Sequence, residues 1–211
     1  MRRLAVTAAV LVAVVGGSAH AATKTYSTGT IDDPIGQFYE RSLTVSDRGP
    51  VSFVRVSFRI TTPNTSALAV SLVSPQGTEV PLVVKTGSGA DFGSGGRGCG
   101  GYPTVVDSDE TTNSIAISDS PFTDGPYRAA GHLASFYGQD ARGRWTLRIA
   151  KSDAIPAHLN CFTLDISRDV PQTMKASKGK ITATLTFTER NFLFDRLRVK
   201  VVRAGRMVVD S

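Results

Sequence analysis

The residues able to do covalent chemistry are few. Peptide hydrolysis by serine needs a nucleophile, a base and a carboxylate that orients the base. Beyond residue 21 the bases available near neutral pH are His132 and His158. Each histidine sits beside apolar residues in a predicted loop, the setting of an ordinary surface histidine. No catalytic residue is therefore assigned. Sugar hydrolysis would need two facing acids, and no pair of carboxylates is singled out.

Cys99 and Cys161 are the only cysteines. A zinc site needs four ligands at characteristic spacings, and the two histidines do not supply them. The cysteines read as a disulfide if the chain is exported, and as two free thiols if it is not. Asp107, Asp109 and Glu110, in Val-Val-Asp-Ser-Asp-Glu-Thr, are the densest acidic cluster. Alternating oxygen ligands in a loop suit calcium, a hard cation, so Asp107 and Asp109 are the candidate calcium ligands, with Asp91 a weaker third. An exposed acidic turn gives the same pattern. Gly87 to Gly101 holds eight glycines in fifteen residues. A phosphate-cradling loop would be followed by Gly-Lys-Ser/Thr and a helix; neither follows, so an irregular loop pinned by Cys99 is expected. Asn64-Thr65-Ser66 matches a glycosylation acceptor and is read as a turn.

The elements that must position these groups read as strands. In Val51 to Ile60, Val54, Val56, Phe58 and Ile60 alternate with Arg55, Ser57 and Arg59, the period of a half-buried strand. Leu68, Val70 and Leu72 alternate in the same way, as do Val80, Leu82 and Val84. Between them Ser74-Pro75-Gln76-Gly77-Thr78 has the residues of a tight turn, which predicts a hairpin from about 67 to 85. Short strands are expected near 104–106 and 114–117. Trp145, Leu147 and Ile149 mark a further strand, and Phe162, Leu164 and Ile166 the last. No segment shows sustained helical periodicity. Many short strands separated by turns predict an all-β sandwich or jelly roll.

The chain has 211 residues, of which 41% are hydrophobic and 20% charged, which excludes a disordered chain. Its 20 glycines and 10 prolines exclude a coiled coil. Met1-Arg2-Arg3, an uncharged run from Leu4 to Val15 and the small-x-small Ala19-His20-Ala21 have the order of a secretory signal. The run is too short to span a bilayer. Residues 1–21 are expected to be removed and the rest to be secreted. The net charge of +6 is uneven. Residues 22–171 hold 13 basic and 15 acidic residues, while 172–211 hold 9 basic and 3 acidic. The main domain thus lacks the basic footprint of a nucleic-acid binder. Residues 172–211 are expected to form a basic β extension or an incomplete second β module, too small for its own core.

Leu68-Ala69-Val70-Ser71-Leu72-Val73-Ser74-Pro75-Gln76-Gly77-Thr78 resembles the LxxxLxSPxGT signature of the P domain, or Homo B domain, of kexin- and furin-like subtilases. Gly143-Arg144-Trp145-Thr146-Leu147-Arg148-Ile149 resembles that family's GxWxLxV strand, and Leu159 to Ile166 its closing strand. Pro121-Phe122-Thr123-Asp124-Gly125-Pro126-Tyr127 and Leu133-Ala134-Ser135-Phe136-Tyr137-Gly138 are similar to segments of bacterial members. The resemblance covers roughly residues 26–168. It implies a β-sandwich of jelly-roll topology and a non-catalytic role, stabilising or docking on a subtilisin-like serine endopeptidase. It also implies calcium as a possible cofactor. The chain departs from the family at Ala67 and Lys151, where aspartates are usual, and at Phe162, where tryptophan is frequent. The alternative function is an extracellular module binding a glycan or cell-surface partner. That would call for a row of exposed aromatics, whereas Phe38, Tyr39, Tyr102, Tyr127 and Tyr137 are scattered along the chain.

Overall fold

A computed structural model describes residues 22–95, 98–107 and 112–168, together with the short strands at 172–173, 184–185, 199–202 and 206–209. The described residues up to Arg168 form a β-sandwich. Its strands are β1 (Ala22–Ser27), β2 (Asp33–Pro34), β3 (Phe38–Val45), β4 (Val51–Thr61), β5 (Leu68–Val73), β6 (Glu79–Val84), β7 (Thr104–Asp107), β8 (Tyr127–Arg128), β9 (Gly143–Lys151) and β10 (His158–Arg168). One sheet has the order β1-β10-β4-β7-β8, with β2 also paired to β10; the other has the order β3-β9-β5-β6. All pairings are antiparallel except β7 with β8.

The alternation seen in sequence is the alternation of burial. Val54, Val56, Phe58 and Ile60 on β4 face Val70, Leu72, Trp145, Leu147 and Ile149 across one core, all fully buried. Full burial of such side chains is worth about 1.5–3 kcal/mol each. The hairpin predicted at 67–85 is β5–β6. Its turn closes through the Gly77 amide donating to the Ser74 carbonyl at 3.0 Å, and Gly77 adopts φ +83°, which glycine adopts without a Cβ penalty. The glycine of the Gly-x-Trp segment has a packing reason: a Cβ on Gly143 would meet Pro75 at 2.6 Å. The two sequence signatures therefore touch. Trp145 is buried, donates Nε1–H to the Ala141 carbonyl at 2.8 Å and sets its ring edge-on to Phe136.

One expected strand is absent. Ile115–Ile117 is a single 3-10 turn, in which only Ile115 is buried and Ile117 is 86% exposed. Three apolar residues in a row look the same in either conformation, and among the described residues the flanking chain pairs only through a single bridge, Ser114 to Arg128. The strands β11 (Gln172–Thr173) and β12 (Thr184–Leu185) pair with each other. In a second unit, β13 (Val199–Val202) and β14 (Arg206–Val209) pair antiparallel. The rest of the 172–211 extension and the 1–21 segment lie outside the described residues.

Candidate functional site

Of the groups named from sequence, the two cysteines meet, while Asp107 and Asp91 are each held by a neighbouring group. Asp107 ends β7 and is buried, and Arg55 on the neighbouring strand donates Nε–H and Nη2–H to its Oδ2 at 3.1 and 2.6 Å. A guanidinium therefore already neutralises the carboxylate that would face a calcium ion. Asp109 lies outside the described residues. Asp91 serves its own loop, its Oδ1 accepting the Thr62 amide at 2.7 Å. Among the described residues, no group of three or more His, Cys, Asp or Glu side chains could hold a metal ion. His158 Nδ1 lies 3.0 Å from Oδ1 of the exposed Asp32, an ion pair only when the imidazole is protonated. His132 precedes the 3-10 turn Leu133–Phe136.

Cys99 and Cys161 are joined in a disulfide, with Cα atoms 5.5 Å apart. Asn160 is an extra residue in β10 relative to β4, because Leu159 pairs with Ile60 and Cys161 with Arg59. The bulge leaves Cys161 and Phe162 buried in succession, and Cys161 takes the glycine-rich loop. That loop has further anchors. Ser94 and Tyr102 exchange backbone hydrogen bonds at 2.8 and 2.9 Å, as do Ile60 and Phe92 at 3.0 and 2.9 Å. Arg59 Nη1 donates to the Gly95 carbonyl at 2.7 Å. Phe92 is fully buried and stacks on Phe122, with centroids 4.9 Å apart.

Beside Phe122 lies a polar cleft of about 320 Å³, lined by Asn113, Ser118, Asp119, Ser120, Asp124 and Tyr127 among others. Its aromatic rings are not stacking platforms, since Phe122 and Tyr127 are 1% and 2% exposed. Burial pushes the Tyr127 phenol above its ordinary range. Its hydroxyl accepts the Asp124 amide at 3.0 Å.

The two outer faces of the sandwich differ in character. Across the larger sheet, Thr25 donates to Asp165 at 2.6 Å and Arg55 pairs with Asp107; this face is hydroxylated and charge-paired. The smaller sheet carries an apolar row. Register places Val84 beside Ala69, Ala69 beside Ala150 and Ala150 beside Phe38, across all four strands. Phe38 is 76% and Val84 55% exposed. In the next row Arg148 on β9 donates to its cross-strand neighbour Glu40 on β3 at 2.8 Å, and it reaches diagonally to Glu79 on β6 at 2.5 Å. Phe38, Tyr39, Glu40 and Arg148 line a second cleft of about 270 Å³. Sequence showed Phe38 as one scattered aromatic; only the register makes it the end of a row. A further missed residue is Gln139, whose amide accepts from Ser74 and donates to Thr78 and to the Ser135 carbonyl, at 2.8, 2.9 and 2.8 Å. It binds the signature turn to the segment before β9.

The strands thus form a two-layer, mainly antiparallel β-sandwich with an apolar row on one outer face. The chain belongs to the proprotein convertase P-domain family, whose model matches residues 51–166. The match runs from the start of β4 into β10 and so takes in strands of both layers. Among solved structures, the chain is similar to the serine protease of Aeromonas sobria, at 14% identity, over 69% of this chain and 26% of that one, with a TM-score of 0.39. It is similar to the same protease in complex with its chaperone at 14% identity, over 71% and 27% of the two chains, with a TM-score of 0.40. FLHE matches at 11% identity, over 70% of this chain and 96% of that one, with a TM-score of 0.39. The chain thus spans about a quarter of the protease chains. No curated protein matches.

Proposed function

We propose that the chain is a secreted, non-catalytic P-domain module that serves a subtilisin-like serine endopeptidase, stabilising it or docking on it. The observation that carries this reading is the family match across both layers of the sandwich. The disulfide supports an oxidising compartment. No helix among the described residues is long and apolar enough to cross a membrane. In this reading residues 1–21 are a cleaved signal, 22–171 the P domain and 172–211 a basic β extension or an incomplete second β module. Amino-terminal sequencing of the exported protein tests the first boundary, with Ala22 expected.

The test of function has two arms. The purified mature protein is incubated with casein and with a serine-directed fluorophosphonate; neither hydrolysis nor labelling is expected, and labelling of a serine overturns the non-catalytic reading. Affinity capture from the medium of the producing cells is then scored for a subtilisin-like peptidase. Recovery of glycan or cell-wall material instead would favour an extracellular binding module. Calcium at Asp107 and Asp109 is a separate proposal, and requires Asp107 to hold the metal and the Arg55 guanidinium together. A melting midpoint that falls with chelator supports it, and an unchanged midpoint refutes it.

A further inference from the structure

The sheet edges are protected unequally. The free edge of β6 is capped: Ala130 and Gly131 donate their amides to the Leu82 and Pro81 carbonyls at 3.0 and 2.7 Å. Among the described residues the free edge of β3 has no such cap. Among the described residues, no backbone hydrogen bond joins Phe38–Val45 to any strand but β9. An edge of eight residues with unpaired N–H and C=O groups is a template for one more strand.

Both rows on the outer face run off the sheet at this edge. The apolar row ends at Phe38, 76% exposed. In the next row Glu40 stands opposite Arg148, which Glu79 also reaches diagonally from β6, so two carboxylates share one guanidinium and one of them stands at the edge. Continuing each row by one strand calls for an apolar side chain opposite Phe38 and a cation opposite Glu40, since cross-strand neighbours on one face interact directly. Phe38 and Glu40 are two residues apart, so both partner side chains fall on the same face of an added strand.

A second copy does not supply them. With both outer faces on one side, the antiparallel self-pairings centred on Glu40, Arg41 or Ser42, which overlap β3 along most of its length, set Phe38 against Ser42, Thr44 or Ser46. Registers centred on Glu40 or Arg41 bring like charges together, which is destabilising. We propose that the β3 edge binds an extended segment of another polypeptide, antiparallel, that carries a basic residue two positions before an apolar or aromatic one. The apolar side chain enters the cleft formed by Phe38, Tyr39, Glu40 and Arg148. Arg41, 40% exposed and held by Asp33 at 3.1 Å, keeps a paired charge beside this edge, and such charges disfavour indiscriminate strand addition.

The probe is a labelled threonine octapeptide with lysine at its fourth and phenylalanine at its sixth position, added to the full chain. Binding is read by fluorescence anisotropy and by amide exchange. Saturable binding is expected, with amide protection gained within Phe38–Leu43. Phe38→Ser and Glu40→Gln should each weaken it about two- to fivefold, the span of one cross-strand pair. Both side chains are exposed, so neither change threatens folding. Glu40→Lys should be rescued by the peptide with glutamate in place of lysine. Four results would overturn the proposal: no binding at millimolar peptide, equal binding of the peptide with lysine and phenylalanine exchanged, protection on Ala22–Ser27 instead, or a concentration-dependent dimer that protects β3 without peptide.

Discussion

Removing the sulfur bridge should act on the unfolded chain more than on the folded one. The perturbation is the double change Cys99→Ala, Cys161→Ala. The bridge closes a loop across a sequence separation of 62. In the chain-entropy model that constraint contributes about 4 kcal/mol at 25 °C. Losing the buried Cys161 sulfur adds roughly 1 kcal/mol of packing. The folded loop has other anchors: buried Phe92, the reciprocal Ser94–Tyr102 hydrogen bonds and the Arg59 contact to Gly95. Guanidinium unfolding should therefore show a loss of about 4–5 kcal/mol, with a steeper denaturant slope because the open chain exposes more surface. Native-state exchange should still show protected Ser94 and Tyr102 amides. A loss under about 1 kcal/mol would refute the entropic account. So would a large loss accompanied by unprotected loop amides, since the bridge would then be holding the native loop itself.

Other outcomes follow from the same geometry. Trp145→Ala empties a fully buried site and removes the bond to Ala141, and should cost about 3–5 kcal/mol in chemical denaturation. Arg55→Met keeps the stem but removes both donors to Asp107, and should cost about 2 kcal/mol by thermal melting. Acid should destabilise the fold through Asp140 and Asp47. The Arg142 and then the Gly49 amide hold the Asp140 carboxyl below the usual carboxylate range, and Lys24 and then Tyr26 do the same for Asp47. A depressed folded value gives stability that is complete above the unfolded value, about 3.9, and is lost as pH falls through the folded one. The melting midpoint should thus be level down to about pH 5 and fall below pH 4, less steeply in Asp140→Asn, Asp47→Asn; an unchanged slope would refute the assignment. Gly143→Ala forces a Cβ against Pro75 and should destabilise by about 1–3 kcal/mol.

The β class, the hairpin at 67–85, the inward faces of β4, β9 and β10 and the family were all legible in the sequence. Those features depend on period-two patterning and turn residues, which are local. Ile115–Ile117 was misread because a short apolar run carries no period. The neutralisation of Asp107 by Arg55, the stitching by Gln139 and the row ending at Phe38 were not legible. Each joins residues 52 or more positions apart, or depends on strand register. Alternation fixes which face a side chain takes; only the pairing of distant strands decides what stands beside it, because register is set by the packed core and by closure of the whole sheet.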